Sequence, residues 1–204
     1  MLKRHPIGIM GGTFDPIHIG HLVLAQAAYE TLGLEKVVFI PAGRPPHKKD
    51  RKEQVSNECR AEMVRLAIED DDRFELDMRE IYKQSYCYTV ETIKELSLEN
   101  PENKYYFIIG GDSLRDFHTW REPGEIVKYC SIAASYRPGI TQGMDELLEE
   151  NRRKYNGEFV KIPVPMLDIS SHEIRKRIGE NKTYRYYVPE KVYQLIKADK
   201  LYIE

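Results

Sequence analysis

The sequence has few cysteines, almost no net charge and no long apolar run, and each shortage excludes a class. Cys59, Cys87 and Cys130 are the only cysteines among 204 residues; their number is odd and none forms a CxxC pair. That excludes a disulfide-framed scaffold and fits a reducing compartment. Lysine and arginine total 31 against 33 acidic residues, a formal net charge of -2. A chain so balanced is not built to coat a nucleic acid or a membrane surface, so any phosphate binding should be local. No segment approaches the ~20 apolar residues of a membrane span, and the first dozen residues lack the apolar stretch of a signal peptide. A cytoplasmic protein is the expectation. Repeats, low-complexity tracts and linker-like composition breaks are missing too, so residues 1–204 are expected to form a single domain.

What is present is an alternation. Short apolar runs read as strands at "HPIGIM", "KVVFIPA", "RFEL", "KYYFIIGGD", "CSIAAS" and "EFVKIPVP". Amphipathic or apolar stretches read as helices at "HIGHLVLAQAAYETLG", "SNECRAEMVRLAIEDD", "YTVETIKELSLEN", "SSHEIRKRIGEN" and "PEKVYQLIKADKLY". Gly33 should end the first helix, and Ser56 or Asn57 should cap the second. Strands that are continuous apolar runs, alternating with helices, predict a mainly parallel sheet covered on both faces. The expected fold is α/β, Rossmann-like and doubly wound, with the C-terminal helices as an appendage. Ligands of such folds sit beyond the carboxyl ends of the strands, where strand order reverses.

"GGTFDPIHIGHL", Gly11 to Leu22, falls at the first such end. Its glycines allow a ligand to approach the backbone, and the following helix N-terminus favours phosphate. It is neither the G-x-G-x-x-G fingerprint nor a Walker A loop, which ends in Gly-Lys-Ser/Thr. His18 and His21 lie three apart on one face of the first turn, with Gly20 between them. Their imidazoles can donate hydrogen bonds to phosphate oxygens. A plain polar helix start and a zinc site are weaker readings, since no third metal ligand stands at ligand spacing.

"DISSHEIRKRI" offers a second anion site. Ser170 and Glu173 make a capping-box pattern, with Ile169 and Ile174 at staple positions, so the stretch opens a helix well whatever else it does. The serine pair Ser170 and Ser171, the free amides of the first turn and Arg175 can also face a phosphate. "PAGRPPHKKD" adds Arg44, His47, Lys48 and Lys49 in a proline-stiffened loop. No Ser-His-Asp or Cys-His arrangement is visible.

Together these stretches resemble the bacterial nicotinate mononucleotide adenylyltransferases, a family of the nucleotidyltransferase superfamily that includes class I aminoacyl-tRNA synthetases. "HIGH" after "GGTFDP" is similar to the first superfamily signature, and "ISSHEIR" to the second, with His172 where threonine is usual. "PPHK", "YTVET", "IIGGDSLRDFHTW" and "SYRPG" are similar to family segments near the acceptor. The resemblance implies transfer of AMP from ATP to nicotinate mononucleotide, with Mg²⁺ held mainly by phosphates and water and no protein metal site. It implies catalytic roles for His18, His21 and Arg175. Gly11, Gly12, Thr13, Phe14, Gly20, Asp112, Ile169, Ser170 and Ser171 would bind ATP. His47, Lys48, Tyr88, Thr89, Trp120 and Arg137 would bind the mononucleotide. No nucleic acid or membrane partner is expected, and a homo-oligomer is left open. Rival readings are an adenylyltransferase for phosphopantetheine or the amidated mononucleotide, and a module that binds ATP without turnover.

Overall fold

The computed structural model describes residues 4–45, 55–136, 143–165 and 167–203. Its strands are β1 (His5–Gly12), β2 (Lys36–Pro41), β3 (Phe74–Leu76), β4 (Asn103–Ile109), β5 (Cys130–Tyr136) and β6 (Phe159–Pro163). Its helices are α1 (Ile19–Leu32), α2 (Asn57–Ile68), α3 (Thr89–Glu99), α4 (Gly111–Arg115), α5 (Pro123–Tyr129), α6 (Met144–Tyr155), α7 (Ser171–Gly179) and α8 (Glu190–Ala198). The strands make one sheet in the order β3-β2-β1-β4-β5-β6. β1 pairs with β4, β4 with β5 and β5 with β6, all parallel; Ile7 stands opposite Tyr105, Phe107 opposite Ile132 and Ile132 opposite Phe159.

This is the Rossmann-like doubly wound order, and it reverses between β1 and β4. β1 ends at Gly11 and Gly12, while β4 runs into Gly110, Gly111 and Asp112. Of the strands that lead to expected ligand residues, the one ending at Gly11 and Gly12 and the one followed by Asp112 are therefore the two at the reversal. The strands are apolar because both faces are covered: Ile9, Ile132, Ala133 and Ala134 are fully buried. Gly33 ends α1 as expected, at φ +58°, a conformation that favours glycine. The Leu34 N–H then donates to the Tyr29 carbonyl at 3.0 Å, which closes a Schellman turn. Ser56 caps α2, its hydroxyl oxygen accepting from the Cys59 N–H.

Contacts group the chain into two compact units. The first comprises Met1–Gly11, Leu24–Val38 and Tyr88–Met166; the second comprises Gly12–Val23, Phe39–Cys87 and Leu167–Glu204. An aromatic knot lies in the first, where Phe117 meets Trp120, Tyr155 and Phe159 at ring separations of 5.3, 5.5 and 5.7 Å. In the second, α8 packs on α2. The C-terminal helices are thus no appendage: α7 and α8 belong to the same unit as the turn after β1. Three helices escape the sequence reading. α6 is dense in charge and buries only Met144, Leu148 and Asn151, so its apolar stripe is thin. α4 and α5 are five and seven residues long, too short to show a period. Among the described residues no helix is long and apolar enough to cross a membrane.

Candidate active site

The turn from β1 into α1 carries the two histidines. His18 stands just before α1 and His21 is its third residue. The His18 backbone N–H donates to His21 Nδ1 at 3.2 Å, and the His21 N–H donates back to the His18 carbonyl at 2.9 Å. His21 therefore serves as the third-position member of a capping box, the place usually taken by glutamate or glutamine. Because Nδ1 accepts, a neutral His21 carries its proton on Nε2, which becomes a donor. The two rings stack at 3.7 Å with 25° between their planes, and Phe14 meets His21 edge-on at 5.0 Å. Gly20 makes that stack possible. A Cβ there would lie 3.0 and 3.1 Å from Nδ1 and Cε1 of His18.

His18 is 6% exposed, and its Nδ1 is buried without a hydrogen-bond partner. Nε2 is left as the nitrogen through which it can act. Burial lowers its pKa to about 4. Burial, and then the nearby His18, hold His21 well below its ordinary value. Both rings are neutral near pH 7 and offer N–H donors rather than fixed charge. A bound polyanion would draw their pKa values upward.

The second motif is joined to this turn directly. Ser170 caps α7, its hydroxyl oxygen accepting from the Glu173 N–H at 3.1 Å, which is the bland half of the sequence reading. Ser171 Oγ donates to the Pro16 carbonyl at 2.9 Å, and Arg175 Nη1 donates to the Asp15 carbonyl at 2.5 Å. Arg175 Nη1 also lies 3.8 Å from the Asp15 carboxylate. Tyr202 OH donates to Asp15 Oδ1 at 2.7 Å. The turn is thus held by residues 155, 160 and 187 positions away. Ser171 is engaged as a brace, and one of five arginine N–H donors of Arg175 is engaged likewise. Ile169 enters through its carbonyl, 3.8 Å from where a Gly20 Cβ would stand. His172 is exposed at the start of α7.

The remaining predicted residues stand elsewhere. Gly12, Thr13 and Phe14 belong to the same unit as the histidines, with Phe14 buried at φ +50°; Gly11 ends the first unit's share of β1. In the first unit, Asp112 projects from α4, its side chain 95% exposed and 2.5 Å from Arg115 Nη1. Tyr88 precedes α3 and Thr89 begins it; the Arg121 guanidinium lies 4.4 Å from the centre of the Tyr88 ring. Trp120 is half-buried, edge-on to Phe107 at 5.9 Å. His47, Lys48 and Arg137, predicted for the mononucleotide, lie outside the described residues, as does Lys49. The cysteines are poor nucleophiles: burial pushes all three thiols up, Cys130 to about 12.

Sequence reading passed over Asp15, Arg60 and Tyr202. Asp15 lies inside the first motif and is the point on which two braces meet. Arg60 had a local signal, a cation on a helix face otherwise made of Met63, Val64 and Ile68. Tyr202 had none, because its partner is remote in the chain.

The family model described as cytidylyltransferase-like matches residues 9–177, which takes in both motifs. The chain belongs to the cytidylyltransferase-like family. Relatives named "Probable nicotinate-nucleotide adenylyltransferase" are similar throughout. One from Desulfitobacterium hafniense is 44% identical over 200 residues, covering 96% of this chain and 95% of the relative. One from Thermoanaerobacter sp. is 41% identical over 204 residues, covering 99% and 96%. A solved structure of Plasmodium falciparum nicotinic acid mononucleotide adenylyltransferase, complexed with NaAD, superposes with a TM-score of 0.76 at 20% identity and covers 97% of each chain. At that identity the likeness speaks for the fold, and it places this member of the cytidylyltransferase-like family in the architecture derived above.

Proposed function

We propose that the chain is a nicotinate-nucleotide adenylyltransferase of NAD biosynthesis, an enzyme that joins ATP and nicotinate mononucleotide into deamido-NAD and releases pyrophosphate. The observation that carries the reading is the neutral, stacked pair His18 and His21 at the start of α1, held by the Ser171 and Arg175 motif of α7. A 5′-phosphate oxygen of the mononucleotide attacks the α-phosphorus of ATP; the new P–O bond forms as the bond to the β-phosphate oxygen breaks. A phosphate monoester has a second pKa of about 6, so the nucleophile is largely dianionic at neutral pH and needs no general base. The protein then supplies position and charge stabilisation. His18 contacts the α-phosphate region and His21 the β- and γ-phosphates through Nε2–H. Arg175 and the start of α7 receive the leaving pyrophosphate, and Gly12 to Phe14 line the triphosphate.

Mg²⁺ would neutralise phosphate charge. The site fits an ion carried by the nucleotide better than a resident one: the Asp15 carboxylate already has Tyr202 and Arg175 beside it, and the described residues contain no cluster of three ligating side chains. Asp112, with its side chain open, is suited to ribose hydroxyls or to water around that ion. On the acceptor side Trp120 stacks on the pyridine, Tyr88 and Thr89 line its pocket, and His47, Lys48 and Arg137 take the phosphate. The whole chain works as a single nucleotidyltransferase domain in the cytoplasm, with ATP and the mononucleotide as its partners and room for a homo-oligomer. The test is pyrophosphate release from ATP and Mg²⁺ with nicotinate and nicotinamide mononucleotides as separate acceptors. Turnover with the nicotinate form well above the nicotinamide form is expected. Equal turnover would keep the chemistry and remove the acceptor assignment, and none with either would remove the enzyme.

A further inference from the structure

Arg60 heads the fully buried side chains of the described residues by size. Arginine is rarely closed off completely, because removing a guanidinium from water is expensive unless its donors are matched. Here the matching is with backbone. Nη1 donates to the Thr13 carbonyl at 2.5 Å and Nη2 to the Ala42 carbonyl at 2.7 Å. Nη2 also donates to Asn57 Oδ1 at 2.6 Å, while Asn57 Nδ2 donates to the Ile81 carbonyl at 3.2 Å. The Ala42 N–H donates to the Gly12 carbonyl at 2.8 Å. Asn57 is therefore fixed from its far side and aims the guanidinium at the turn.

The consequence lies in the polarity of the turn. In a planar trans peptide, C=O and N–H point in opposite directions. The Gly12 carbonyl is held by Ala42, the Thr13 carbonyl by Arg60 and the Pro16 carbonyl by Ser171. The N–H groups of Thr13, Phe14 and Ile17 are thereby each turned away from the donor that holds the carbonyl of the same peptide. Successive backbone amides, such as those of Thr13 and Phe14, whose peptides have their carbonyls engaged elsewhere can serve an anion. The three holds are of different strength. Arg175 also holds a carbonyl of this turn, that of Asp15, but its peptide ends in Pro16 and has no N–H. Among the three peptides with an N–H, only the Thr13 carbonyl is held by a cation, the stronger kind of donor.

We propose that Arg60 is a positioning residue for the triphosphate of ATP: by holding the Thr13 carbonyl it sets the Thr13–Phe14 peptide with its N–H toward phosphate. This rests on the adenylyltransferase reading. Its effect is selective, because the acceptor mononucleotide does not depend on that peptide. Arg60 touches no reacting atom, so its removal should act through ATP alone.

The experiment is steady-state pyrophosphate release by wild type, R60M, R60K and N57A, with each substrate varied in turn and the folded fraction checked by circular dichroism. Loss of a charged hydrogen bond in a buried site predicts a fall in kcat/KM for ATP of about 30-fold in R60M, with the KM for the mononucleotide changed by less than about twofold. R60K keeps the charge but lacks the planar fork that reaches two carbonyls, so it recovers only part of the loss. N57A leaves Arg60 in place without its side support and should lower kcat/KM for ATP by about threefold. A folded R60M that keeps its kcat/KM for ATP, or that raises both KM values alike, overturns the proposal. Should R60M fail to fold, N57A decides: an unchanged KM for ATP overturns it. A wild type without turnover overturns the adenylyltransferase reading and this inference together, whereas an active wild type with indifferent variants overturns this inference alone.

Discussion

In the second unit, His18 is buried, and Ser171 and Arg175 are braced on partners 155 and 160 positions away in sequence. In the first unit, the described residues assigned to the acceptor are half-buried: Trp120 leans on Phe117, and Tyr88 lies against the Arg121 guanidinium. The contrast follows from what each has to bind. Charge that develops on phosphorus is stabilised best by donors fixed before the reaction starts, and rigidity of that kind needs long-range bracing. A flat heterocycle gains from apolar surface and a few polar groups, and its ligand can complete the burial. The second unit should therefore fail through rate and the first through acceptor affinity.

His18→Ala presses hardest on this contrast. Removing a donor aimed at the α-phosphate should lower kcat by about 100- to 1000-fold. The melting temperature should move by no more than about 3 °C, since a buried nitrogen without a partner leaves with the ring. A kcat near that of wild type would refute the role. The same residue has a pH signature. Its pKa is about 4 in the fold against 6.5 ordinarily, so between those values the unfolded chain holds a proton that the folded one refuses. Its contribution to stability is complete above pH 6.5 and is lost as pH falls toward 4, by about 3 kcal/mol in all. Urea unfolding at pH 7 and pH 5 should show wild type weakening more than His18→Ala; equal weakening would place the penalty elsewhere.

Gly20→Ala separates rate from stability. The added Cβ meets the His18 ring at 3.0 and 3.1 Å, so the ring must give way slightly against His21. Alanine is the better helix former by up to about 1 kcal/mol, which offsets the crowding. Activity should fall about tenfold while thermal stability holds or rises. A parallel fall in both would mean that the glycine serves packing alone.

Trp120→Phe addresses the other region. Phenylalanine keeps an aromatic ring beside Phe107 and Phe117 but offers less face for stacking. The mononucleotide KM should rise about fivefold with the KM for ATP unchanged. If the KM for ATP moves instead, the division of labour drawn above is wrong.

Much of this was legible in the chain, for a physical reason. Helix caps, the Gly33 stop and the strand runs are local, and local chemistry is written in neighbouring residues. His18 and His21 were legible because a three-residue spacing already places two rings on one helical face. The bracing was not legible, since Arg60, Arg175 and Tyr202 find carbonyls and a carboxylate that only the folded chain brings near. Arg175 reads as a phosphate ligand, and in the fold one of its N–H groups also holds the Asp15 carbonyl. α6 hid because a helix of mostly charged residues carries its apolar stripe on very few side chains.

Tyr202→Phe should have the smallest effect, and it tests whether the bracing is shared. The variant keeps the buried ring and removes only the hydroxyl that donates to Asp15 Oδ1. Burial, with Asp15 next to it, pushes this phenol above its ordinary value, so it stays a donor across the working pH range. Without it, Asp15 retains Arg175 at its backbone carbonyl and near its other oxygen. Stability should drop by about 1–2 kcal/mol in denaturant unfolding, and kcat by no more than about threefold. A larger loss of kcat with unchanged stability would mean that the last residues of the chain set the phosphate turn more than Arg175 does. A double variant with Arg175→Lys distinguishes the two cases, because a shared brace gives a combined loss in stability larger than the sum of the single losses.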